Sequence, residues 1–192
     1  MGKLMSEVIR NSARLRKIKA GSIVNQPPAA QTAGLEADWR AWLKGLFPKH
    51  VPLGWAPYHE TFWQWAWAFG ALTRPQPFIA IWPRSAAKST SAELAIVAWG
   101  ARRVRSYALY VCSTQPRADD HVANIGRMME GTELSRYYPA LGNRAVGKYG
   151  SSLGWRRNRI RTQQGITIDA LGLEVASRGL KIEEHRPDVI VL

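Results

Sequence analysis

Residues 77–103 read PFIAIWPRSAAKSTSAELAIVAWGARR, and the order of signals within this stretch decides the fold. Phe78 to Trp82 form a short apolar run rich in β-formers, which predicts a strand buried on both faces of a parallel sheet. Pro83 ends the run. From Ser89 onward, Leu94, Val97, Ala98, Ala101 and Val104 recur at the spacing of a helix with one buried stripe. Between strand and helix lies RSAAKST. A strand feeding a small-residue turn and a helix N-terminus aims several backbone N–H groups and the positive end of the helix dipole at one point, where an anion belongs. Lys88 adds a mobile positive charge, and Ser89 and Thr90 place hydroxyls in the first helical turn, where one can ligate magnesium.

The standard phosphate-loop pattern GxxxxGK[ST] is not met, because Trp82 and Ala87 stand at its two glycine positions. A small-residue turn whose Lys and Ser merely cap a helix is the alternative for these residues. Alanine before the lysine is compatible with close backbone approach if the local dihedrals stay right-handed, since glycine is obligatory only where φ is positive.

Composition bounds the partners. The chain of 192 residues is long enough for one domain with a substantial core, and its net charge of +13 implies a polyanionic partner, nucleic acid before an acidic membrane surface. Cys112 is the single cysteine, which excludes an internal disulfide and a cysteine-based zinc site and fits a reducing, cytoplasmic compartment. The longest apolar stretch, Thr61 to Leu72, is too short to span a bilayer and is interrupted by Gln64, so no membrane association is expected. Met1-Gly2 with Ser6 and the Arg-rich start through Lys19 match permissive targeting patterns without further support.

Around the central stretch the chain divides at residue 34. Leu4, Val8, Leu15 and Ile18 fall near one face of a short basic helix, and Gly21 to Gly34 reads as a linker. Residues 35–192 read as one α/β unit. Leu35, Trp39, Trp42, Leu43 and Leu46 form a helical stripe stopped by Pro48, and an aromatic-dense helix is expected from His59 to Leu72. Tyr107 to Cys112 is a second strand. It leads into a helix whose Ala118, Val122, Ile125 and Met129 share a face, with Asp119 and Asp120 in its first turns. Ser113, Thr114 and Gln115 follow the carboxyl end of a parallel strand, where such sheets place ligands. Arg156, Arg157, Arg159 and Arg161 alternate into Ile166, Thr167 and Ile168 across Gln163-Gln164-Gly165, which reads as a β-hairpin; its arginines are candidate DNA-backbone contacts, a solvated hairpin face being the other reading. Asp188 precedes a third buried strand, Val189 to Leu192.

Taken together, WPRSAAKST after FIAI, YVCSTQPRADDHV, and RGLKIEEHRPDVIVL resemble the ATPase domain of the large terminase subunit of tailed phages, from about Trp39 to the last residue. The resemblance implies a P-loop NTPase fold with a mostly parallel central sheet flanked by helices, incomplete at its C-terminus. Residues 1–34 would then be an appended basic helix and linker, and 35–192 a partial ATPase domain. It implies ATP and Mg2+ as cofactors. Ser85, Ala86, Ala87, Lys88, Ser89 and Thr90 would bind the phosphates, with Ser89 on magnesium and Thr90 as its alternate. Lys88 would neutralise developing charge, and Arg84 would act as a cis arginine finger or else pair with a structural carboxylate. Tyr58 and His59 become candidates for contact with the base.

Such a motor would drive double-stranded viral DNA into a capsid shell in the bacterial host cytoplasm. Its partners would be a portal protein and a small terminase subunit, and it would act as a homo-oligomer when full length. The acids that should follow the strand ending VIVL are not present, so the resemblance implies a fragment lacking the rest of the ATPase domain and a nuclease domain. A helicase-like DNA-dependent ATPase and a non-catalytic, DNA-binding prophage remnant share the same features.

Overall fold

The computed structural model describes residues 29–51, 54–174 and 186–192, and places them as helices around a mixed, open sheet of five strands. The expected basic helix before Lys19 and the first part of RGLKIEEHRPDVIVL, residues 178–185, lie outside the described residues.

Three helices, the second and third built on tryptophan, lead into the central stretch. Helix α1 (Ala29–Glu36) begins inside the segment read as a linker, because Ala29, Ala30 and Ala33 favour a helix more than their small size suggests. Asp38 caps α2 (Trp39–Leu46) by accepting from the N–H groups of Arg40 and Ala41, and α2 buries Trp39, Trp42, Leu43 and Leu46. Helix α3 (Pro57–Trp67) starts on a proline and buries Phe62, Trp63 and Ala66. It stops short of Leu72, where Gly70 and Thr73 close a turn on each other. Three indoles of this layer have protein acceptors. Trp42 donates to the Tyr138 hydroxyl at 3.1 Å, Trp99 to the Ala66 carbonyl at 2.9 Å and Trp67 to the Glu36 carbonyl at 2.9 Å. These three rings therefore contribute apolar area with their N–H groups satisfied.

Helix α4 (Lys88–Ala101) is buried on most sides from Ser91 to Ala101. It ends in a Schellman motif: Val104 N–H donates to the Trp99 carbonyl and Arg103 N–H to the Gly100 carbonyl, with Arg103 left-handed at φ 55°. Strand β1 (Tyr107–Cys112) follows, then α5 (Gln115–Met129), whose Ala118, Val122, Ile125 and Met129 are fully buried, as their spacing predicts. Short helices α6 (Thr132–Tyr137) and α7 (Pro139–Gly142) lead to β2 (Trp155–Arg156), β3 (Arg159–Arg161), β4 (Thr167–Gly172) and β5 (Val189–Val191).

The sheet order is β2-β3-β4-β1-β5. Strand β1 runs parallel to both β4 and β5, whereas β2 with β3 and β3 with β4 are antiparallel. The sheet is thus mixed and not mostly parallel. The reason is chain length: β2 and β3 are joined by Arg157-Asn158 alone, and β3 and β4 by residues 162–166, links far too short for a parallel crossover. The hairpin expected from the Arg, Ile and Thr alternation is formed by β3 and β4.

Phe78 to Trp82 is not an interior strand. The segment is extended but pairs with no strand, and only alternate residues face inward: Phe78 and Trp82 pack on the aromatic core, while Ile79 and Ile81 are 80% and 91% exposed. Pro75, Pro77 and Pro83 remove three ladder donors in and around it, which leaves the run to be held by its side chains.

Candidate anion-binding site

The loop from Pro83 to the start of α4 carries two non-glycine residues in the left-handed region, Ser85 (φ 63°) and Ala87 (φ 53°). The expectation of a right-handed Ala87 does not hold. Ala87 must reverse the chain within one residue, because its carbonyl already accepts from Ser91 N–H at 2.8 Å as the first helical bond. Each left-handed L-residue costs about 1–2 kcal/mol, so the conformation is held against its own preference. Positive φ at Ser85 and Ala87, alternating with Ala86 between them, is the arrangement that turns successive N–H groups toward one side as an anion-receiving concavity.

Among the described residues, none of residues 85–90 donates its backbone N–H to a protein acceptor. These donors stand at the N-terminus of a helix of 14 residues, whose dipole adds to their field. Lys88 and Ser89 line a cleft of about 1140 Å³ bounded by residues 71–82 on one side and Pro187–Leu192 on the other, with Tyr110 also contributing. Thr90 does not line it. Arg84, Ser85 and Ala87 are exposed at the loop surface and Ala86 is half-buried.

His59 reaches this loop from the first turn of α3. Its Nδ1 accepts from Ala56 N–H at 3.2 Å, and its Nε2 lies 2.9 Å from the Ala86 carbonyl. A backbone N–H can only donate, so Nδ1 is the acceptor and Nε2 carries the proton given to Ala86. Tyr58 packs on Trp82 with ring centroids 5.1 Å apart. Both residues expected near a base therefore sit beside the loop, with the two ring nitrogens of His59 engaged inside the protein.

The hairpin arginines divide. Arg159 makes a bidentate pair with buried Asp169 (2.6 and 2.7 Å), which also accepts from the Tyr107 hydroxyl at 2.8 Å. Hydrogen bonding to Asp169 raises the affinity of Arg159 for its proton, and burial raises the pKa of the Tyr107 phenol well above its ordinary value. Arg157 pairs with Asp120 at 2.5 Å on the surface, and Arg156 is exposed. The pair Asp119 and Asp120 is divided too, Asp119 accepting from Gln115 Nε2 at 2.6 Å. The same Gln115 accepts from Gly172 N–H at 2.8 Å, fastening the end of β4 to the start of α5. A Cβ on Gly172 would stand 2.4 Å from Gln115 N, so no side chain fits there.

Asp188 accepts from Ser106 N–H, Ser106 Oγ and Tyr107 N–H at 2.9–3.1 Å, which gives it a structural task at the start of β5. Arg102 and Arg105 are likewise internal. Arg102 lies over Trp67, and burial lowers its pKa; Arg105 donates to the carbonyls of Gly70, Val104 and Thr73. Burial pushes the Cys112 thiol up, which disfavours a reactive thiolate.

One cluster is not anticipated by any motif: Glu93, buried in α4, meets His121 Nδ1 at 2.6 Å and Asn124 Nδ2 at 3.2 Å from α5. The available signal was a lone carboxylate in the apolar run AELAIVAWGA. Among the described residues no group of three or more His, Cys, Asp or Glu can hold a metal ion, and no helix is long and apolar enough to cross a membrane. Comparison with family models, curated proteins and solved structures finds no match to this chain.

Proposed function

We propose that this chain is the nucleotide-binding part of a DNA-packaging motor, a portion of a phage large terminase subunit with a P-loop NTPase fold, acting in the bacterial host cytoplasm. The observation that carries the reading is the run of unpaired N–H groups over residues 85–90, presented by a left-handed loop at the helix that begins with Lys88. Without a sheet strand at Phe78 to Trp82, the reading rests on the loop and helix and not on a complete strand–loop–helix unit.

The residues present fit a nucleoside triphosphate. The free amides from Ser85 to Lys88 bind phosphate oxygens, Lys88 neutralises their charge, and Arg84, exposed within the loop, supplies a second cation. Magnesium, when bound, offsets phosphate charge; Ser89 is its protein ligand through the hydroxyl, because Ser89 and not Thr90 lines the cleft. Tyr58, packed on Trp82 next to this loop, offers an aromatic face to a base. The net charge of +13 supports double-stranded DNA as the polymer acted on. The portal protein, the small terminase subunit and further copies of the chain are the partners this reading implies.

Titration calorimetry with MgATP and with inorganic pyrophosphate tests the site. Binding should fall at least about tenfold in Lys88→Ala, the loss of a charge-assisted hydrogen bond at a phosphate. Turnover by this polypeptide alone should be negligible, since Asp188, the carboxylate among the described residues that lines the cleft, is committed to Ser106 and Tyr107. Unchanged binding in Lys88→Ala overturns the site. Rapid magnesium-dependent hydrolysis that disappears in that variant overturns the assignment of a binding fragment.

A further inference from the structure

We propose that His59 is a positioning residue that holds the anion-binding loop in its strained shape through the Ala86 carbonyl; this rests on the phosphate-binding reading above. The loop needs such a restraint. Ser85 and Ala87 both sit in a conformation that L-residues avoid, and strained backbone persists only where surrounding contacts determine it. Apart from the first bond of α4, the hydrogen bond made to this loop among the described residues is the one from His59 Nε2 to the oxygen of Ala86, the residue between the two strained positions. Fixing that carbonyl fixes the Ala86–Ala87 peptide plane, and with it the direction of the Ala87 N–H.

The imidazole is suited to this task because it cannot turn away. Ala56 N–H fixes Nδ1 as an acceptor and thereby fixes the proton on Nε2. The ring is boxed by Tyr58 at 4.4 Å, by Trp82 at 5.2 Å and nearly perpendicular, and by Trp55 at 6.3 Å. Trp82 directly precedes the loop, so one histidine holds both the residue before the turn, through ring contact, and Ala86 within it, through a hydrogen bond. The aromatic core between α3 and residues 78–82 thus reaches the anion site through a single side chain.

The two nitrogens can be separated by substitution. His59→Asn keeps an acceptor near the Nδ1 position for Ala56 and loses the donor to Ala86, His59→Gln carries a donor near the Nε2 position, and His59→Ala loses both. In ligand-free protein, His59→Asn should shift the amide resonances of Ala86, Ala87 and Lys88, and nitrogen spectra of the parent should show the Nε2–H tautomer. With pyrophosphate as the probe, affinity should fall about fivefold in His59→Asn, the loss of one hydrogen bond's worth of restraint, and recover in His59→Gln. Resonances of residues 86–88 that stay in place in His59→Asn, an Nδ1–H tautomer, or His59→Asn and His59→Gln binding alike overturns the proposal. If the parent binds no pyrophosphate, the phosphate reading fails, and the ligand-free resonances still decide whether His59 holds the loop.

Discussion

Glu93 Oε1 stands 2.6 Å from His121 Nδ1, joining the helix that begins with Lys88 to the helix that follows β1, with the carboxylate 4% exposed. Asn124 adds a second donor, and Tyr110 stacks on the imidazole at 4.6 Å. A buried carboxylate tolerates the interior only while its donors remain. His121→Ala should therefore lower unfolding free energy by about 3 kcal/mol. Replacing both partners with leucine should cost less than that single change, because no charge is then stranded. Urea denaturation of the two variants checks the order; a His121→Ala protein within about 0.5 kcal/mol of the parent, the range of ordinary surface changes, sinks it.

Ala87 gives a prediction of sign. Glycine in place of a right-handed residue destabilises a chain, but glycine in place of a left-handed alanine relieves strain. With φ at 53°, Ala87→Gly should raise stability by about 1 kcal/mol. The same change restores the glycine of the standard phosphate-loop pattern. A drop in the thermal midpoint would place Ala87 in the right-handed region after all.

Three of the chain's six tyrosines, Tyr107, Tyr110 and Tyr138, have phenols raised well above their ordinary range, first by burial. A folded-state pKa above the unfolded one gives stability that is present below the unfolded value and is lost as pH rises past it. Stability should accordingly fall from about pH 10 upward, where unfolded tyrosines ionise. Absorbance of tyrosinate should show Tyr107, Tyr110 and Tyr138 ionising only together with loss of circular dichroism. Ionisation of these three near pH 10 while the circular dichroism stays intact would contradict the burial.

The hairpin arginines should separate in experiment as they do in space. Arg159→Gln strands Asp169 and should cost about 2 kcal/mol, a figure reduced for the partial exposure of the guanidinium. Arg156→Gln should leave stability unchanged and lower the salt dependence of DNA binding by about one phosphate contact. Fluorescence anisotropy at several salt concentrations, alongside denaturation, distinguishes the two. An unaltered salt slope in Arg156→Gln takes the hairpin out of any DNA interface.

Local pattern carried most of the helical architecture. The stripe from Ala118 to Met129 and the Arg-Ile-Thr alternation of the hairpin appear as read, because each is fixed by neighbours close in sequence. The failures share a cause. Phe78 to Trp82 has strand-like residues, but a strand also needs a partner, and that is decided by distant residues and by three prolines. Lys88 at the head of a helix was legible; the handedness of Ser85 and Ala87 was not, since it is imposed from outside by tertiary contacts on the loop. Arg159 looked like part of a solvent-facing charge run until its register opposite Asp169 was fixed.

Asp188 has a further effect, on which side chains the edge of the sheet displays. Its carboxylate grips Ser106 and Tyr107, and so sets Val189 opposite Ala108 and Val191 opposite Tyr110. Alternation along a strand has a period of two, so sliding β5 by a single position would turn Ile190 inward and both valines out. One acidic residue at the entrance to the strand thus chooses which of its three aliphatic groups are sheltered and which meet water.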